Sequence, residues 1–163
     1  WLMFVGGKLP EAMADFQSSL ELNPNDALTL ARLGMCEALA GDPAGGLRRC
    51  IQAIRLSPRD PARFHLLGNL VWAQFAARAY DEAIDTARQT LREADLASTR
   101  FCLVLCLAGV GDLSSAAAEL RALKERAPDM VAARLAGVLL AGDPEVRGRE
   151  AALLDAAQRQ LSA

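Results

Sequence analysis

Histidine occurs once in the chain, and nothing surrounds it that would make it a catalyst. No cysteine or carboxylate lies within four residues of His65, so a Ser-His-Asp or Cys-His arrangement has no local support. No Gly-x-Gly-x-x-Gly or Walker-type loop occurs, and the doublets Gly6-Gly7 and Gly45-Gly46 stand alone. Cys102 and Cys106 are four apart, but no second Cys or His pair at short spacing completes a zinc site. Carboxylates such as Asp81-Glu82, or Glu119 with Glu125, read as solvated helix faces. These absences predict no enzyme, no cofactor and no metal.

Charge of one sign is also missing. A net charge of -2 supplies no basic surface to neutralise phosphates, which argues against nucleic acid as a partner. Long hydrophobic runs are absent too: the longest charge-free apolar stretches are Leu66 to Ala77 and Phe101 to Gly111, where a membrane-spanning helix needs about 20 residues. Trp1 to Val5 has neither a basic start nor a cleavage site close behind, so it is not read as a signal peptide. The four cysteines, Cys36, Cys50, Cys102 and Cys106, all sit in apolar runs, which favours reduced thiols and a cytoplasmic setting.

What the chain does have is apolar content, 52%, and a repeat. Leu20-Glu21-Leu22-Asn23-Pro24-Asn25-Asp26 returns as Ile54-Arg55-Leu56-Ser57-Pro58-Arg59-Asp60, placing Pro24 and Pro58 34 residues apart. Ala127-Pro128-Asp129 is a further copy, and Gly41-Asp42, Gly111-Asp112 and Gly142-Asp143 recur in the same manner. Leu30, Leu33, Cys36 and Leu39 form one helical stripe; Leu47, Cys50, Ile51, Ile54 and Leu56 form a second. Between them Gly41-Asp42-Pro43 supplies a helix stop, an N-cap and a first-turn proline, as does Gly142-Asp143-Pro144. A 34-residue period with a closing proline predicts helix–turn–helix units.

The chain resembles a tetratricopeptide-repeat (TPR) array. Phe64-Leu67-Gly68-Val71 and Leu30-Leu33-Gly34-Glu37 match the first-helix half of the family pattern; Ala12-Phe16-Pro24, Gly46-Cys50-Pro58 and Ala116-Leu120-Pro128 match the second. Ala83 and Ala87 continue the series. The resemblance implies an all-α right-handed superhelix (α-solenoid) of about four to five hairpins, in units of roughly 1–26, 27–60, 61–95, 96–129 and 130–163. The longer spacing from Gly68 to Ala83 places a three-residue insertion near Phe75 to Ala79. Trp1 to Val5 reads as the tail of a first helix whose beginning is missing, as in a piece of a longer protein.

In such an array the first helices line a concave face. The resemblance puts Ala31, Met35 and Ala38, then His65, Asn69 and Trp72, then Phe101, Leu105 and Ala108 on that face, with Arg32, Arg100 and Arg134 at its rim. Trp72 stands either on the groove wall or in the core beside the insertion. TPR proteins that clamp a C-terminal carboxylate use Lys and Asn at such positions; Asn69 matches in type, but Ala31 and Met35 supply no cation. The expected function is a non-catalytic module that binds a protein or peptide segment, with another domain of the same polypeptide or a second copy as candidate partners. Leu56-Ser57-Pro58-Arg59-Asp60-Pro61, Phe64, Gly68 and Tyr80-Asp81-Glu82-Ala83 are also similar to TPR tails behind bacterial class III adenylate/guanylate cyclases and winged-helix transcriptional regulators. That resemblance implies a regulatory region of a signalling protein.

Overall fold

Aspartate and proline set the helix starts. In the computed structural model, which describes residues 8–163, Asp26, Asp42, Asp112 and Asp143 each accept a hydrogen bond from a first-turn amide, such as Gly45 N at 2.9 Å from Asp42. Pro43 and Pro144 occupy the first turns that follow two of these caps. The helices so delimited are α1 (Leu9–Leu22), α2 (Ala27–Leu39), α3 (Pro43–Leu56), α4 (Arg63–Ala76), α5 (Tyr80–Glu93), α6 (Ala97–Gly109), α7 (Leu113–Arg126), α8 (Pro128–Leu135) and α9 (Pro144–Ser162). The described residues contain no strand. Trp1 to Val5 and Gly6-Gly7 lie outside the described residues.

Three hairpins, α2–α3, α4–α5 and α6–α7, stack in chain order, and α4 and α6 each pack on both helices of the preceding hairpin. Close approach within the first hairpin requires glycine. A Cβ on Gly46 would lie 2.3 Å from the Gly34 carbonyl oxygen, so α2 and α3 touch backbone to backbone there. The core runs along α2, α4 and α6, where Leu33, Leu39, Trp72, Phe75, Phe101 and Leu105 are fully buried. The second helices bury one stripe each. In α3 that stripe is narrower than expected: Cys50 is buried and Leu47 and Ile54 pack against the core, but Ile51 and Leu56 are each 41% exposed.

The repeat register differs from the sequence expectation. The three turns within hairpins, 40–42, 77–79 and 110–112, have equal length, so nothing is inserted near Phe75 to Ala79. Of three extra residues, two lie in the six-residue connection 57–62, where α1 and α2 are joined by four, and one lies in α4, which has fourteen residues against thirteen in α2. Val71, not Gly68, therefore holds the place of Gly34. Contacts agree: a Cβ on Gly34 would meet α3, whereas one on Gly68 would meet Thr99 and Leu96 at the start of the next hairpin. Each turn passes through the left-handed region at its centre, at Gly41 (φ 107°), Gly111 (φ 87°) and Arg78 (φ 62°).

The last unit is not a hairpin of the same kind. Helix α8 has eight residues, a connection over 136–143 follows, and α9 has nineteen. Helix α9 packs on α6 and α7 as α4 packs on α2 and α3. It runs the other way, however. Arg149 near its start reaches the C-terminal end of α4, and Gln158 near its end accepts from Lys124 in the last turns of α7.

Candidate functional site

Helices α2, α4 and α6 lie side by side as one wall. Near the N-terminal ends of these helices lies a cavity of about 340 Å³. Leu28, Arg32 and Met35 come from α2; His65, Gly68, Asn69 and Trp72 from α4; Leu96, Ala97, Ser98 and Thr99 from the start of α6; and Met130 from α8. The lining is mainly apolar, with a few polar points at the rim. Arg32 makes no hydrogen bond or ion pair among the described residues, whereas Arg100 is tied to Asp95 at 2.8 Å and Glu119 at 2.5 Å. His65 is exposed beside the Phe64 ring. The Asn69 amide donates to the His65 carbonyl at 2.7 Å, one turn back.

Trp72 belongs both to the core and to the cavity lining. It is only 1% exposed; its ring meets Phe75 edge-on at 5.9 Å and Phe101 at 6.1 Å, and its Nε1 donates to Ser98 Oγ at 3.0 Å. The indole joins α4 to α6 and forms part of the cavity wall.

Met35, His65, Asn69 and Trp72 all line this cavity. Ala31, Phe101 and Leu105 do not line the cavity. Ala31 is buried with Ala27, Leu30, Ala53 and Leu66. Phe101 lies under the Arg134 guanidinium, 5.6 Å from its ring centre, and Leu105 is buried in the main core. Ala38 and Ala108 are buried as well. The physical reason at Phe101 and Leu105 is that α8 and α9 cover α6, leaving no wall free there. Arg134 is correspondingly buried rather than a rim charge. Leu28, Leu96, Ser98, Thr99 and Met130 were missed. Leu28 and Ser98, each in the first turn of its helix, would have been found by counting from helix starts instead of from Gly34 and Gly68.

Near the C-terminal ends of α2 and α4 the chain covers its own wall. Segment 138–143 crosses there as a strap. Gly142 N and Asp143 N both donate to the Leu39 carbonyl at 3.0 Å. Leu140 N and Ala141 N donate to the fully buried Glu150 carboxylate at 3.2–3.3 Å. Arg134 donates to Val138 O at 2.7 Å; Arg149 stacks 5.5 Å from the Phe75 ring centre and donates to Ala76 O at 2.8 Å. Burial pushes the Glu150 carboxyl above its ordinary value, opposed by the Ala141 and Leu140 amides and by Arg134 and Arg147.

The cysteine thiols are free and buried, and burial holds those of Cys36 and Cys50 up at about 12 and that of Cys102 well above its ordinary value. Cys36, Cys50 and Cys102 are therefore thiols, not thiolates, at neutral pH. Among the described residues no three His, Cys, Asp or Glu side chains are grouped to hold a metal ion, and no helix is long and apolar enough to cross a membrane.

Stacked hairpins of this size and order make an α-solenoid of TPR type. A crystal structure of MamA is similar in fold, with a TM-score of 0.59 over 96% of this chain and 90% of that one, at 19% identity. No family model and no curated protein matches the chain.

Proposed function

We propose that the chain is a non-catalytic interaction module whose cavity receives a bulky apolar side chain of a guest segment, with an acidic neighbour of that side chain meeting Arg32. The guest comes from another protein or from another part of the same polypeptide. The observation carrying this reading is an apolar recess of ligand size in the inner wall, beside Arg32, which feels Asp26 electrostatically but makes no hydrogen bond or ion pair among the described residues. The buried thiols and solitary histidine support the non-catalytic part.

A displayed library of ten-residue peptides, panned on the full chain, tests it. Peptides with Leu, Phe or Trp flanked by Asp or Glu should be enriched, and Leu28→Glu or Arg32→Glu should weaken their binding about tenfold, roughly 1.4 kcal/mol. Both positions are only partly buried, so circular dichroism should be unchanged. Peptides that bind equally to Leu28→Glu would place the guest elsewhere.

A further inference from the structure

A second recess, of about 480 Å³, lies at the seam between the first and last helices. Leu9, Met13 and Ala14 come from α1, Ala40 from the turn after α2, and Gly142 and Pro144 from the entry to α9. The seam is tight at one point, since a Cβ on Gly142 would lie 2.9 Å from Leu9 Cδ2. The polar points are Gln17 and Asp143, and Asp143 already caps α9. Just upstream in the chain stands Trp1-Leu2-Met3-Phe4-Val5, five apolar residues in succession. Only Gly6, Gly7 and Lys8 intervene, so Val5 lies within about 14 Å of Leu9, and two glycines suit a reversal of direction. Left in water, this segment would be an apolar patch beside an apolar recess. A tether of three residues also holds it near the recess at an effective concentration that a separate molecule rarely matches.

We propose that Trp1–Val5 is the occupant of this recess, reached by a reversal at Gly6-Gly7. Trp1, Phe4 and Val5 are spaced to share one face of a helical turn, and that face enters between α1 and the entry to α9. So placed, the segment fastens the first helix to the last and closes the array on itself. This assignment is independent of the guest, because the guest cavity lies at the N-terminal end of α2 and Ala40 follows its C-terminal end.

Tryptophan emission of the full chain tests it. The signal of Trp1 is the difference between wild type and Trp1→Phe, which leaves Trp72 in both. It should be shifted to the blue and quenched by acrylamide about fivefold less than in the urea-unfolded chain. Met13→Glu and Ala14→Glu put a charge into the recess at partly buried and exposed positions, so circular dichroism should be unchanged. In each, measured against the same variant carrying Trp1→Phe, quenching of Trp1 should rise about threefold. Trp1 quenched as freely in the folded as in the unfolded chain would overturn the proposal. Protection that vanishes on dilution would give the recess to a second copy, and protection unchanged in both variants would place the segment elsewhere; either result overturns it equally.

Discussion

The two ends of one wall have been built with different materials. At the N-terminal ends of α2, α4 and α6, side chains such as Leu28, Met35 and Trp72 leave a recess. At the C-terminal ends of α2 and α4, the chain's own backbone lies across the wall and is fastened by a carboxylate and arginines. The difference teaches that a repeat array is not uniformly a binding surface. A terminal unit that departs from the repeat can occupy the face its predecessors share.

The sharpest way to break this contrast is at Trp72, which forms part of the open end while holding α4 to α6. Trp72→Ala removes a side chain only 1% exposed and should cost about 3–5 kcal/mol, seen as a large fall in the urea midpoint. An unchanged midpoint would mean that the indole serves the cavity alone.

At the covered end, the pH dependence should carry the mark of Glu150. Its carboxyl titrates above the ordinary value in the folded chain because of burial. The folded state therefore holds the proton more tightly than the unfolded one. Stability from this group is full below the ordinary carboxylate range and is lost as pH rises through the raised folded value. Glu150→Gln should flatten that part of the stability profile, measured by denaturant titration across pH. A wild-type profile that rises through this window relative to Glu150→Gln would reverse the assigned sign.

The smallest effect belongs to the turn at Arg78. A non-glycine residue at φ 62° is disfavoured, and its ion pair with Glu145 is exposed on both sides. Arg78→Gly should raise the melting temperature by roughly 2–4 °C. A fall would show that the ion pair outweighs the backbone strain.

Much of the array was readable because its signals are local. Asp42-Pro43 and Asp143-Pro144 start helices, and Gly41 and Gly111 make the turns, through contacts that span a few residues. The strap was not readable. Arg134 and Glu150 have the composition of surface charges, and only the return of 138–150 across α2, α4 and α6 buries them. Phe101 and Leu105 were placed on the groove for the same reason: periodicity finds the inner face of a helix but cannot say what lies over it. Trp72 left two readings open in sequence; in the fold its indole is buried in the core and one side of it lines the cavity.

The three extra residues ahead of Val71 have a geometric consequence. Three residues are about 300° of helical turn, so an alignment displaced by that amount is rotated by only about 60°. His65 and Trp72 consequently face the groove even when counted from the wrong glycine. A lengthening by two residues would instead have pointed such a count toward the neighbouring helices, so near-whole turns are the form of drift that preserves the inner face while hiding the shift.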